Sequence, residues 1–262
     1  MTQVPPPTAL ASSRLIRFLS DLTVTGVEVS HKHFAERLGR LIDLSGSIAL
    51  SRVHVGLAAT ASKPCAKTAT VVSTESLVDE FIRVRTTIVQ SIIDSFVPAA
   101  GVGVAPPSLP LVTAAISAAE LTKYGRYQLF YVSRQKEIAV KLGKLRASTR
   151  AAVSSRSSRL AQLVVLDAAL DEALSAPTQK LFAEIPRLLE RRFQYLYLQH
   201  QQVVASQDGE HGEGDWRLWS QAGGWLEQFT GEMQGLLLAE LEVRIQPVLG
   251  LIEALKEEVE RA

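Results

Sequence analysis

The sequence predicts an all-α protein: an elongated helical bundle with long C-terminal helices and a small N-terminal helical segment. The clearest observation is a run of apolar residues in unbroken three-and-four spacing, the stripe that a helix buries against other helices. This C-terminal stripe consists of Leu238, Leu241, Ile245, Val248, Ile252, Leu255 and Val259. A second observation is that no stretch of the 262 residues shows convincing two-residue alternation, so no sheet is expected.

Composition agrees with helix packing. Hydrophobic residues make up 47% of the chain and aromatic residues only 6%, so leucine, alanine, valine and isoleucine supply most of the apolar mass. The 28 basic and 27 acidic residues nearly cancel. No overall charge therefore directs the chain to nucleic acid or to a membrane surface.

The predicted N-terminal segment covers residues 1–57. A proline-rich start leads into an amphipathic helix near residues 9–22, with Leu15 on its apolar face. Ser30 is a typical N-cap for a second helix, and a third covers residues 47–57. The small and polar residues of 58–74 predict a flexible loop.

The main helical domain is predicted to cover residues 75–262. Its helices are expected at about 75–96, 123–153, 156–175, 178–204 and 216–262. Prolines and glycines make 98–122 an apolar linker, and the glycine-rich, acidic stretch 206–215 predicts a loop. Ala176-Pro177 is expected to start a new helix, and Pro247 to kink or break the last one near Val243–Pro247.

Two interpretations of the C-terminal stripe remain open. With Leu238 at heptad position a, Leu237 and Leu251 fall at g and widen the stripe beyond a two-stranded contact. The stripe is then either core of this chain or a groove for a partner. In the second case the partner-binding candidates are Leu241, Ile245, Ile252 and Leu255.

Charge is unevenly distributed along the balanced chain. Residues 123–159 contain ten basic residues and one acid, Glu137, whereas residues 207–262 contain twelve acids and four basic residues. The two regions could pair with each other across antiparallel helices. Alternatively, the basic region could dock an acidic partner helix or nucleic acid. Arg134, Lys141 and Lys144 are the candidates on that basic helix.

The sequence supplies no arrangement of residues for catalysis, cofactor binding or metal binding. The single cysteine, Cys65, lacks a nearby base, and no nucleophile elbow or phosphate-binding glycine loop occurs. His31 and His33 are two residues apart, which is the wrong spacing for a metal on one helix face. His211 lies among acids, but in a glycine-rich stretch that does not fix geometry. We expect no enzyme, no cofactor and no metal.

Several runs resemble an uncharacterised proteobacterial family known as domain of unknown function 3348, over roughly residues 9–256. The most specific run is Leu238 to Leu255 (LAELEVRIQPVLGLIEAL). Weaker runs are Phe34–Leu38, Ile48–Leu50, Leu166–Leu170 and Pro186–Phe193. The family has no assigned activity. The resemblance implies a genetic association with a membrane protein of the MotA/TolQ motor class, which carries a long helical tail, and with an OmpA-like cell-wall-binding protein; similar motor pairs occur in anti-phage defence.

The expected function is therefore that of a non-enzymatic adaptor for a helical partner, most plausibly the tail of such a motor-like complex. A nucleic-acid-binding module using residues 123–159 and a homo-oligomeric structural protein are the alternatives. Residues 1–10 lack the features of a signal peptide, and prolines interrupt the uncharged stretch between Asp94 and Glu120. A cytoplasmic location is expected, peripheral to the inner membrane if the partner is a membrane protein.

Overall fold

The computed structural model describes the following parts of the chain: Arg14, Leu15, Arg17, Phe18, and residues 73–97, 109, 117–206 and 216–261. Within them the structure is all-α, as predicted, and contains no strand. The helices are α1 (Thr74–Ser95), α2 (Ala118–Leu121), α3 (Tyr124–Ser154), α4 (Ser158–Ser206), α5 (Trp225–Arg244) and α6 (Gln246–Arg261), with a 3-10 turn at Trp216–Ser220. Arg14, Leu15, Arg17 and Phe18 are helical too.

The chain divides into two compact units. Unit 1 contains Met1–His31, Val89–Glu137 and Ala183–Leu241. Unit 2 contains Lys32–Ile88, Ile138–Phe182 and Glu242–Ala262. The sequence predicted an N-terminal segment (1–57) and a main domain (75–262), joined at residues 58–74. Most of that predicted junction lies outside the described residues.

Unit 1 has an aromatic core. Tyr127 and Phe193 lie 5.3 Å apart between ring centroids, and Phe229 contacts both at 5.5 and 5.0 Å. These rings come from α3, α4 and α5, and edge-on contacts of this kind add to the free energy of burying the rings. The Tyr124 hydroxyl donates a hydrogen bond to the carbonyl oxygen of Pro186. The core is therefore specified by the aromatic residues at three-and-four spacing on α3.

Unit 2 has an aliphatic core. Leu77, Phe81 and Ile88 from α1 are buried, together with Ile138, Leu142 and Leu145 from α3. The segment after α5 adds Ile245, Val248, Leu251, Ile252 and Leu255. The sets on α3 and after α5 recur at spacings of one, three or four residues, and Leu77, Phe81 and Ile88 on α1 are four and seven residues apart, so each helix turns one face inward.

One predicted helix break is wrong. The sequence predicted that a new helix begins after Ala176-Pro177, whereas α4 runs through Pro177 and Pro186 without interruption. A proline inside a helix removes one hydrogen bond and costs about 3 kcal/mol. The apolar positions Leu174, Leu181 and Ile185 keep the same register across Pro177. Continued packing on one face offsets the proline penalty, and the unbroken register was the signal for one helix.

The predicted break near Pro247 is confirmed. α5 ends at Arg244, Ile245 is in a turn, and α6 begins at Gln246. Pro247 is then in the first turn of α6, where its missing amide hydrogen is tolerated because that turn has no intrahelical acceptor. The amides of Val248 and Leu249 bond to the carbonyl of Ile245 and complete the turn.

Other predictions are only partly covered by the described residues. Leu15 is helical and buried, as expected of the helix near residues 9–22. The short helix α2 lies inside the predicted 98–122 linker and buries Leu121. The predicted helices at residues 30–57 and the loops at 58–72 and 207–215 lie outside the described residues, as do Cys65, His31, His33 and His211.

Candidate interaction surface

The four stripe residues proposed for a partner are buried inside the chain. Leu241 and Ile245 retain 2% and 3% of their side-chain exposure, and Ile252 and Leu255 retain 3% and 1%. The stripe ends before Val259, which is 52% exposed. A partner could reach the buried residues only if the chain opened, so an interface on the closed chain has to use other side chains.

The three basic candidates on α3 have different surroundings. Arg134 forms an ion pair with Glu137 at 2.7 Å, and its guanidinium lies 5.8 Å from the centroid of the Phe130 ring. Lys141 is partly buried and interacts within the chain. Lys144 is exposed and makes no ion pair with any described residue. Lys144 is therefore the candidate of the three that points its charge to solvent.

Two arginines of α3 in unit 2 hold α4 through two aspartates. Arg146 pairs with Asp167 and Asp171, each at 2.5 Å, and Arg150 pairs with the same two residues at 2.6 and 3.1 Å. We call these four residues the Arg–Asp clasp. The side chain of Asp167 is only 13% exposed, and paired geometry of this kind is specific because a guanidinium presents a planar fork of donors.

The clasp bears on the pairing expected for the basic region, residues 123–159. Pairing with the acidic C-terminal region was one alternative, and it occurs between Arg159 and Glu258 at 3.7 Å. The shorter pairs of the clasp go instead to acids of α4, the helix that follows α3 directly. α3 and α4 are joined by only three residues after Ser154, so the clasp links two helices that are consecutive in the chain.

The outer face of α3 in unit 2 is exposed. We define this α3 outer face as Ala139, Val140, Gly143, Lys144 and Ala147, all of which are exposed. Val140 retains 58% of its exposure. Apart from its chain neighbours and the nearby backbone of α3, no described atom lies within 4 Å of the position that a Cβ on Gly143 would take. The face combines small side chains every four residues with one exposed valine and one cation.

The opposite side of α3 fixes the orientation of this face. Ile138, Leu142 and Leu145 are buried, and the Thr149 hydroxyl donates to the carbonyl of Leu145 at 2.8 Å. The buried apolar residues and the clasp together set which side of α3 faces the interior of unit 2. The α3 outer face is thus held at the surface of unit 2.

A second feature lies in unit 1, at the end of α4 and the start of α5. We call Tyr197, His200, Trp219 and Trp225 the aromatic cluster. The centroids of Trp219 and Trp225 are 5.6 Å apart, and His200 lies 5.6 Å from Trp219 and stacks on Trp225 at 6.3 Å. Burial lowers the pKa of His200 from its ordinary value. The indole nitrogens of both tryptophans are buried and have no hydrogen-bond partner in the described structure.

Two glycines build the turn that brings these tryptophans together. Gly223 has φ of 86°, a left-handed conformation that favours glycine. A Cβ on Gly224 would lie 2.2 Å from the carbonyl oxygen of Trp219, so only glycine fits there. The structure therefore has both a bend and a close backbone contact at this glycine pair. His200 was missed, although it follows Tyr197 by one helical turn.

Unit 1 also contains a buried polar network. Glu240 of α5 is fully buried and accepts hydrogen bonds from the Tyr131 hydroxyl at 2.5 Å and from the Gln135 amide at 2.8 and 3.0 Å. The sequence gave no signal for this group, because Glu240 lies beside the C-terminal stripe and not on it. All three residues have further interactions within the chain.

Within the described residues, three or more His, Cys, Asp or Glu side chains nowhere gather in a way that could hold a metal ion. Among the helices described, none combines the length and the apolar character required to cross a membrane.

The comparison with family models decides the classification of the chain. The model described as "Protein of unknown function (DUF3348)" matches residues 1–257. The chain belongs to this family. No curated protein and no solved structure matches the chain significantly. Membership of DUF3348 confirms the resemblance found in the sequence and, because the family has no described function, leaves the activity to be argued from the surface.

Proposed function

We propose that this DUF3348 protein is a non-enzymatic adaptor that binds an acidic helix of a partner protein on the α3 outer face. The observation that supports this proposal is the exposed row of Ala139, Gly143 and Ala147, with Val140 and Lys144 beside it. A row of small residues at four-residue spacing lets the backbone of a second helix approach closely.

Gly143 supports a partner at this position. A glycine inside a helix costs roughly 1 kcal/mol relative to alanine, because its backbone loses more freedom on folding. Apart from its chain neighbours and the nearby backbone of α3, no described atom occupies the space beside Gly143. A partner helix lying over Gly143 would use that space. Val140 would supply apolar contact at the same surface, since more than half of its side chain is exposed.

Charge indicates the chemistry of the partner. No acidic residue occurs between Ile138 and Ser157, and the clasp already neutralises Arg146 and Arg150. Lys144 lies on the α3 outer face itself. An acidic helix would complement this charge, and such complementarity raises the association rate and fixes the register more than it raises affinity.

The family resemblance suggests which protein carries that helix. Its implied association with a motor-like membrane protein of the MotA/TolQ class makes the long helical tail of that protein the partner we propose. The adaptor would then work on the cytoplasmic side, peripheral to the inner membrane through its partner. The OmpA-like protein implied by the same association would belong to the same complex.

The test is co-purification of the full chain with the neighbour-encoded membrane protein in mild detergent. Two variants of the α3 outer face, Val140→Asp and Lys144→Glu, should each weaken capture at least tenfold, which corresponds to about 1.4 kcal/mol. Val165→Asp is the matched control, because Val165 is 51% exposed on α4 in the same unit. Circular dichroism and the thermal midpoint should be unchanged in all three variants.

Four results would oppose the proposal. Recovery of no membrane partner would remove its basis, as would equal capture by the Val140 and Val165 variants. Retention on DNA that falls steeply with salt and is lost on reversal of Lys144 would favour the nucleic-acid alternative. A sedimentation mass that is a multiple of the monomer and falls in Val140→Asp would indicate a homo-oligomer joined through this face.

A further inference from the structure

Two buried hydrogen-bond donors in unit 1 have no acceptor. The Nε1 atoms of Trp219 and Trp225 are buried and unpaired in the described structure, and the Trp225 side chain is only 6% exposed. Buried polar groups in native proteins are nearly always paired with protein, water or ligand, because an unpaired donor is costly. Two adjacent unpaired donors therefore point to an acceptor that binds at this position.

The start of α5 adds donors at the same end of the helix. α5 begins at Trp225, directly after Gly224, and glycine has no side chain that could cap the first amides. The first turn of a 20-residue helix also carries partial positive charge, which favours an anion. Glu227, an exposed acid in this turn, already interacts with that charge, so the amides alone do not define a ligand.

Backbone hydrogen bonds hold the turn between Trp219 and Trp225. Gly224 donates its amide hydrogen to the carbonyl of Gln221 at 2.8 Å, and Gln221 donates to Leu218 at 3.1 Å. The close approach of Gly224 to the Trp219 carbonyl and the left-handed Gly223 hold the two rings 5.6 Å apart. The two demanding backbone positions thus lie in the turn that brings the two indole rings together.

We propose that the aromatic cluster is a binding site for a carboxylate. The Nε1 atoms of Trp219 and Trp225, which lack partners, are hydrogen-bond donors. Their ligand is therefore one that only accepts hydrogen bonds. The cluster contains no lysine or arginine, so a singly charged carboxylate fits it better than a doubly charged phosphate. Trp219 and His200 are only partly buried, and the ligand would enter past their rings. Both a free carboxylic acid and an acidic side chain of another protein carry this group.

Indole NMR spectroscopy of the full chain tests the site directly, because the chain has only three tryptophans. Sodium acetate is the probe, titrated against sodium chloride at equal ionic strength. The Nε1–H resonances of Trp219 and Trp225 should move downfield saturably with acetate. Trp225→Phe should abolish the response of Trp219. If Trp225→Phe does not fold, Trp219→Phe with Trp225 as reporter replaces it.

A glutamate-containing peptide titrated in parallel separates the two sources. Saturation by the peptide at a concentration at least tenfold below acetate would assign the site to an acidic protein segment, and equal midpoints would assign it to small acids. The absence of any saturable shift with either probe would overturn the proposal. It would also be overturned if amide replacements of Asp208, Glu210, Glu213 and Asp215 shifted the two resonances without ligand, because the chain would then supply its own acceptor.

Discussion

Removal of the Glu240 carboxyl group should destabilise the protein strongly. Glu240 is fully buried in unit 1 and accepts hydrogen bonds from Tyr131 and Gln135. In Glu240→Ala both donors lose this acceptor in a place that water does not reach. Glu240→Gln keeps the volume and one oxygen, but it brings the new amide against the Gln135 amide, which is a donor facing a donor.

The contacts set the size of the effect. A buried polar group left unsatisfied costs ~1–3 kcal/mol, so two such groups give ~2–6 kcal/mol. Tyr131 and Gln135 both have further interactions in the chain, which places the expected loss in Glu240→Ala in the lower part of this range, ~2–4 kcal/mol. Glu240→Gln should lose less, ~1–2 kcal/mol, because only one contact reverses.

Thermal and urea unfolding followed by circular dichroism measure this loss. The control is Glu253→Ala on α6, which truncates an exposed glutamate and should change stability by less than ~0.5 kcal/mol. A double-mutant cycle with Tyr131→Phe should give a coupling free energy of ~0.5–3 kcal/mol with Glu240→Gln. A loss below ~1 kcal/mol in Glu240→Ala, or no coupling, would refute the assignment of a buried, hydrogen-bonded network.

Three further changes test other parts of the fold. Gly224→Ala should destabilise the protein and alter tryptophan fluorescence, because the new Cβ would meet a backbone oxygen. Gly250→Ala should instead raise the free energy of unfolding by ~0.5–1 kcal/mol, because the space beside Gly250 is open. Pro177→Ala should raise the thermal midpoint, since it restores a hydrogen bond inside α4 and removes a penalty of up to ~3 kcal/mol; an unchanged or lower midpoint would contradict this. Burial raises the pKa of both Tyr124 and Tyr127 far above the ordinary value of about 10. Their contribution to the free energy of unfolding is therefore fully present below pH ~10. Above that pH it is lost, by up to ~1.4 kcal/mol per pH unit for each tyrosine. Urea titrations at alkaline pH should show this slope, and it should fall in Tyr124→Phe.

The helical elements were predictable because their periodicity is local. The aromatic residues of α3 at 124, 127 and 131 repeat every three or four residues, and the structure buries all three. The break at Ile245 followed from the position of Pro247. The same local rule failed at Pro177, where packing along the whole of α4 outweighed one lost hydrogen bond. A local sequence pattern predicts a helix end correctly only when the free energy of packing along the helix does not outweigh it.

The features proposed for binding were less predictable. The α3 outer face is visible in the sequence as small residues every four positions, but exposure depends on what the rest of unit 2 covers. The aromatic cluster joins residues from α4, the 3-10 turn and α5, which are separated by up to 28 positions in the sequence. No residue count along one helix could have identified His200 as a neighbour of two tryptophans.

The sequence by itself determined the all-α class and the helix ends near Ser95, Ser154 and Arg244, because these depend on the spacing of apolar residues and on prolines. Membership of the DUF3348 family also follows from the sequence, through its match to the family model. Only the tertiary structure decided that the C-terminal stripe is core, that Arg146 and Arg150 pair with α4, and that Glu240 is buried. The physical reason is that burial and ion pairing depend on which faces meet in space. Periodicity shows that a face is apolar or charged, but not which surface it meets.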